Sequence, residues 1–417
     1  MKRRDFLKAA GAVSLSGCAT TGSAPSKARV VVIGGGFGGA TAAKYIRLWD
    51  SSIDVVLVER EPQFISCPIS NLVLGGFTTM QDITRERSGL AKHGVQLVRD
   101  EAVAIDAAKK SVRLASGGEI GYERLVVSPG IDFTFGDIQG YEAAMQSGKV
   151  LHAWKAGQQT VALRRQLEEM RDGGVYILTV PPTPYRCPPG PYERASMVAA
   201  YFKQAKPKSK VLVLDANPDV TSKAGLFKAA WKDLYPGILE YHGNSRAVGV
   251  DPATMTVKLE VDEAKGDVLN IVPPHRAGDI AQKAGLITSN NRWCDVDWRT
   301  MESKAVKGVH VLGDATLSAP AMPKSGSMAN NHAKIAAAAI VDLLNGREPQ
   351  PLQIGNTCYS FVSPKEAIRV SSVHRWDDGK GTLLGVPGSG GVSAARSEAE
   401  GTFAWNWART IWADSLG

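Results

Sequence analysis

The sequence holds one GxGxxG stretch and no second one, no CxxCH, no CxxC pair and no uninterrupted apolar run of membrane length. Each absence excludes something. Without CxxCH this chain attaches no c-type haem of its own, and without CxxC it carries no closely spaced redox dithiol. The most apolar stretch, residues 333–344, is interrupted by Lys334 and Asp342 and predicts a packed helix rather than a membrane span. Lys and Arg do not run together among aromatics, which excludes nucleic acid as the expected partner. What remains is a chain of 417 residues, 44% hydrophobic and 22% charged, the composition of a globular protein large enough for two or three domains.

The first residues predict an address label. Arg3-Arg4-Asp5-Phe6-Leu7-Lys8 precedes a short apolar stretch, Ala9 to Gly17, and is similar to a twin-arginine export signal, with Lys2 where that motif usually has Ser or Thr. Leu15-Ser16-Gly17-Cys18 resembles a lipobox, which predicts a lipid anchor at Cys18. Residues 19–28 read as a flexible tether. The expected location is therefore the periplasm, where the remaining cysteines, Cys67, Cys187, Cys294 and Cys358, are free to form a disulfide. Counting alone does not choose the pair.

Residues 29–33 predict a buried strand that runs into Gly34, Gly36 and Gly39, then a helix, then a second strand ending at Glu59, twenty positions beyond the last glycine. That is a dinucleotide cradle. Gly34 permits the turn, Gly36 lets a pyrophosphate approach the backbone, Gly39 lets the helix pack on the strand, and Glu59 accepts ribose hydroxyls. Residues 308–315, a strand ending in Gly313-Asp314, carry the Asp that holds the ribityl chain of FAD in flavoproteins with two dinucleotide domains. Residues 125–130, ending at Gly130, resemble the strand that marks the crossover out of an FAD domain. The middle segment starts with another strand, Val175 to Val180, but continues into Pro181-Pro182-Thr183-Pro184 and Pro188-Pro189-Gly190-Pro191. Prolines remove N–H donors and fix φ, so this loop cannot cradle a second pyrophosphate, and no NAD is expected.

Cys67-Pro68-Ile69-Ser70-Asn71, Arg186 to Ala195, Met322-Pro323-Lys324-Ser325-Gly326 and Asn356-Thr357-Cys358-Tyr359-Ser360 together resemble the flavoprotein subunit of flavocytochrome c sulfide dehydrogenase, from about Lys27 to the C-terminus. The resemblance implies an α/β fold. It has two Rossmann-like domains, a discontinuous FAD domain (28–139 and 278–348) and an inserted pseudo-NAD domain (140–277), with an α+β segment (349–417) completing the site after the signal and tether (1–27). It implies FAD joined covalently through Cys67, a redox-active disulfide between Cys187 and Cys358, and Lys324 at the flavin's N1–C2=O edge. Pro68 departs from the family pattern beside Cys67. The implied activity is sulfide oxidation, with electrons leaving singly to a c-type cytochrome subunit that carries the haem.

Arg186 is expected to favour a thiolate at Cys187, and Glu193 to handle the proton of sulfide; a surface Glu or an ion pair with Arg194 is the bland alternative. Cys294 reads as a free thiol. Two other functions share these residues: a sulfide:quinone oxidoreductase, in which residues 403–412 would lie on a membrane, and a flavin-bearing accessory protein of a sulfur-oxidation complex without turnover of its own.

Overall fold

The structure, a computed structural model, describes residues 27–417. The export-signal and Cys18 expectations lie outside the described residues. The first sheet is wholly parallel. Strand β1 (Ala28–Ile33) sits at its centre between β2 (Ile53–Val58) and the strand Arg124–Val127. Val95–Val98 and Val309–Val311 form the edges. Both faces of such a sheet are covered, which is why β1 reads as an unbroken apolar run rather than an alternation. Helix α1 (Phe37–Trp49) and the helix Gly326–Leu344 pack against each other beside this sheet.

An antiparallel ribbon, Ile131–Phe133 with His275–Ala277, links this domain to the second one. There a second parallel sheet runs in the order Val150–Leu151, Val268–Ile271, Val175–Val180, Lys210–Asp215, Leu239–His242. The proline-rich loop follows Val175–Val180 and enters the helix Gly190–Ala205, with Pro191 in its first turn, where a missing N–H costs nothing. The fold is thus α/β, two Rossmann-like dinucleotide-binding domains followed by an α+β segment.

That last segment is an antiparallel sheet, led by the hairpin Ile354–Phe361 with Ala367–Asp377, and a C-terminal helix, Glu398–Leu416. Ala404, Ala408, Ile411 and Trp412 recur at helical spacing on one buried face. Trp412 donates its indole N–H to Ser66 Oγ (2.9 Å) under the Arg85 guanidinium, and Asp414 takes Tyr45 (2.6 Å), Asn330 (2.7 Å) and Lys334 (2.9 Å). The apolar stripe of the C-terminal helix is spent on the protein's own core. Among the described residues no helix is long and apolar enough to cross a membrane.

Candidate active site

The glycines behave as three different devices. Gly34 has φ +95°, and a Cβ there would lie 2.3 Å from the Ser128 carbonyl oxygen. A Cβ on Gly39 would lie 1.8 Å from the Gly34 carbonyl oxygen, so α1 can approach β1 only with glycine at that position. At Gly36 a Cβ would meet nothing within 4 Å, because the residue faces a cavity of about 300 Å³. Glu59 accepts from the Gly35 N–H (2.6 Å) and the Glu61 N–H (2.8 Å). Beside it stands Arg87, buried, donating to the carbonyls of Gly35 and Glu61 (2.8 Å each) and 3.6 Å from Glu59. No motif announces Arg87 in the sequence.

Further along the same cavity come Gly130, with φ +64°, and Asp314, in a tight turn after the strand Val309–Val311. Asp314 Oδ1 is buried with no hydrogen-bond partner, and burial raises its carboxyl above the ordinary range. An orphaned buried acceptor is costly unless a ligand hydroxyl meets it. An open Gly36, the N-terminus of α1 and this orphaned carboxylate fit the pyrophosphate and ribityl hydroxyls of FAD.

Cys67, Cys187 and Cys358 line the other end of the cavity. All three are free thiols in this structure. Cys187 adopts φ +58°; its N–H donates to Lys324 O and its carbonyl accepts from the Gly190 N–H (2.8 Å each). A Cβ on Gly190 would stand 3.0 Å from Cys187 Sγ, so the sulfur's seat requires a glycine there. Arg186 is hydrogen-bonded to the Trp154 carbonyl and its charge faces Cys67, Asp314 and Cys187. Arg186 is the first of the charges that favour a thiolate at Cys187. Burial pushes that thiol far above its ordinary value, Cys358 and Glu193 push it further, and the nearby cations do not offset them.

Glu193 is neither a surface group nor the partner of Arg194. It is buried in the cavity wall, its carboxylate accepting from Asn71 Nδ2 (2.7 Å) and the Phe361 N–H (2.8 Å). Burial raises its pKa. Arg194 instead donates to Asn71 Oδ1, Asn270 Oδ1 and the carbonyls of His152 and Ala153. Lys324 is buried as well. Its ammonium donates to the carbonyls of Asp314 (3.1 Å) and Thr316, and lies 3.7 Å over the Trp293 ring. Burial pulls it down to about 7. It stands behind Asp314, against the buried Cys294, whose thiol burial raises to about 12. Lys223, which no motif singles out, is buried and donates to Cys358 O (3.3 Å) and Ser360 Oγ (2.8 Å).

In the inserted domain, the acid at the end of the strand Lys210–Asp215 occupies the place from which a dinucleotide domain holds ribose. Asp215 is fully buried, and its oxygens accept from Tyr192 (2.7 Å), Tyr241 (3.0 Å) and both the N–H (2.9 Å) and side-chain amide (2.7 Å) of Asn217. Tyr192 OH in turn accepts from the Thr221 N–H (3.1 Å), and Asn217 accepts from the Thr183 N–H (3.1 Å) in the proline loop.

Three family models match the chain: pyridine nucleotide-disulphide oxidoreductase over residues 28–169, the central domain of the sulfide dehydrogenase (flavocytochrome c) flavoprotein chain over 160–273, and the flavocytochrome c sulphide dehydrogenase flavin-binding domain over 350–416. Mouse mitochondrial sulfide:quinone oxidoreductase is 24% identical over 305 residues, 69% of this chain and 65% of that protein. The match thus spans just under two thirds of the relative's length. The sulfide dehydrogenase flavoprotein chain of Chlorobaculum thiosulfatiphilum is 62% identical over 45 residues, 11% of this chain and 94% of that sequence. The crystal structure of sulfide:quinone oxidoreductase from Aquifex aeolicus superposes with a TM-score of 0.77 at 18% identity, covering 93% of this chain and 91% of that one, which shows a shared fold. A cradle fitted to FAD, a cysteine-lined cavity continuous with it, and these matches together place this chain in the flavoprotein family that includes the sulfide dehydrogenase flavoprotein chain.

Proposed function

We propose that this protein oxidises sulfide at Cys187 and Cys358 and hands the electrons to a c-type cytochrome through FAD. The observation that carries the reading is that both sulfurs, Cys67 and the orphaned Asp314 oxygen share the wall of one cavity. FAD, when bound, supplies an acceptor for two electrons that can release them one at a time. Gly34, Gly36, Gly39, Glu59, Gly130 and Asp314 would hold it, and Cys67 would tether it. Glu193 faces the sulfurs with its two protein bonds already fixed, so a remaining lone pair is available to take the proton of sulfide. In the oxidised protein the lone pair of hydrosulfide forms a bond to one cysteine sulfur. The Cys187–Cys358 bond breaks, and the other sulfur leaves as a thiolate.

The acceptor is read from the two flavocytochrome c domain models and from a C-terminal helix whose apolar face is turned inward. The sulfide:quinone relatives support a quinone as the second reading. The export-signal and lipobox expectations add a periplasmic, membrane-tethered location, and the flavocytochrome c domain models support a partner cytochrome.

An anaerobic sulfide titration of the flavin absorbance tests the function. Bleaching by sulfide but not NADH supports it; an unchanged spectrum sinks it and favours the accessory-protein reading. Flavin that stays with acid-precipitated protein supports the Cys67 tether, and flavin that washes free removes it. Parallel steady-state assays with cytochrome c and a soluble ubiquinone analogue decide the acceptor.

A further inference from the structure

Lys223 is a buried cation without a carboxylate. Its side chain donates to Ser360 Oγ (2.8 Å), to Cys358 O (3.3 Å) and to Ile368 O (3.5 Å), all neutral acceptors on the hairpin that carries Cys358. Among the described residues no carboxylate lies within ion-pair distance of it. Its position is fixed from the other side as well. Thr221, two residues earlier, is pinned to Tyr192 and Tyr185, and Lys223 itself adopts φ +57° at the start of the helix Ala224–Leu234.

A charge taken out of water in this way is costly unless an anion compensates it. The ionisable groups facing it, from every element packed around it, are Cys358 on its strand, Glu193 on the helix Gly190–Ala205, Cys187 in the loop before that helix, and Glu400 on the C-terminal helix. Burial raises the Cys358 thiol and lowers Lys223; against that, Cys358 exerts the strongest pull on Lys223, and Lys223 is the first of the influences that favour the Cys358 thiolate. At Cys187 the first such influence is Arg186. Each sulfur thus has a different leading cation; Lys223 also reaches Glu193 and Cys187 more weakly, and Arg186 is shared with Cys67 and Asp314.

We propose that Lys223 is the counter-ion of Cys358 and decides which way the Cys187–Cys358 bond opens. This rests on the sulfide-oxidation reading for its nucleophile. The lone pair of hydrosulfide forms a bond to Cys187 Sγ, the bond between the two cysteine sulfurs breaks, and its electron pair stays on Cys358 Sγ as a thiolate beside Lys223. The single negative charge that enters on hydrosulfide is the one that ends on Cys358. Cys187 is left carrying the extra sulfur with its hydrogen, which Glu193 is placed to accept. Lys223 acts through Cys358 and is a positioning residue.

The test needs no sulfide. The reduced, flavin-loaded protein is alkylated with iodoacetamide across a pH series, and each cysteine is quantified by peptide mass spectrometry. Wild-type Cys358 should react at lower pH than Cys187. In Lys223→Met, which keeps the length and loses the charge, the Cys358 profile should move up by about one pH unit, or about tenfold slower alkylation below it, with a smaller shift at Cys187. Ser360→Ala keeps the charge and removes its 2.8 Å anchor; it should move Cys358 the same way by less, and covers the case in which Lys223→Met fails to fold. A Cys358 profile that stays put, or moves no more than that of Cys187, overturns the proposal. Failure of sulfide to bleach the flavin would remove the function and leave this measurement standing.

Discussion

Glu193→Gln probes the site most sharply, because every hydrogen bond around this carboxylate points the same way. Arg194 Nε donates to Asn71 Oδ1 (3.1 Å), which fixes the Asn71 amide so that its NH2 faces Glu193 (2.7 Å); the Phe361 N–H donates to the other oxygen (2.8 Å). Glutamine offers one acceptor and one donor, so it satisfies one neighbour and confronts the other with an N–H. Flipping Asn71 only moves the conflict to Arg194. One buried donor is left unpaired, at a cost of about 1–3 kcal/mol. That should appear as a lower thermal midpoint of the flavin-loaded protein. Removing a proton acceptor of this kind should slow sulfide-driven flavin bleaching by about 10²–10⁴-fold.

The pH dependence has a definite sign. Burial raises Glu193, so its basic form is lost as pH falls through a value above the ordinary carboxylate range. The wild-type acid limb should lie correspondingly high, and the glutamine variant should be slow at every pH without that limb. The same shift makes ionised Glu193 unfavourable in the fold, so its contribution to stability is present below the ordinary carboxylate value and is lost as pH rises through the raised one. A glutamine variant that bleaches within about twofold of wild type, with its acid limb in place, would refute the reasoning.

Gly39→Ala should give protein without flavin, because the added methyl carbon falls 1.8 Å from a backbone oxygen and a shift costing about 3 kcal/mol or more is needed; the visible spectrum after purification checks this. Asp314→Asn should weaken flavin retention while leaving the flavin-free protein as stable or more so, since the orphaned carboxylate oxygen is replaced by a neutral group. Thermal midpoints with and without flavin should therefore move in opposite directions or diverge. Trp412→Phe removes the bond to Ser66 but leaves Ser66 Oγ its contact with the Pro68 carbonyl; a loss of about 1 kcal/mol in stability is expected, with sulfide bleaching unchanged.

The parts of the site legible in the sequence are those written locally. Gly34, Gly36 and Gly39 sit within one turn, Glu59 follows at the end of the next strand, and the apolar run of β1 announces a doubly covered sheet. Asp314 was legible because Gly-Asp closes a short strand. What the sequence hid is long-range. The partners of Glu193 come from residues 71 and 361, and its neighbour Arg194 points elsewhere, because adjacent residues on a helix do not face each other. Lys223 and Arg87 lie in unremarkable surroundings, and only the folded chain buries them against Cys358 and Glu59. Adjacency in sequence also says nothing of how much water the fold removes from Cys187, and that burial opposes the pull of Arg186.

The clamp around Asp215 also bears on how readily this fold could change its electron donor. Replacing the prolines of residues 181–191 with a glycine loop would not reopen a second nucleotide site, because the acid that would meet the ribose already serves Tyr192, Tyr241 and Asn217. Freeing it would remove the acceptor that orients the Tyr192 hydroxyl, to which Thr221, on the loop that delivers Lys223 to Cys358, is bonded. The bonds that occupy Asp215 in the inserted domain thus belong to the same network that holds the loop carrying Lys223.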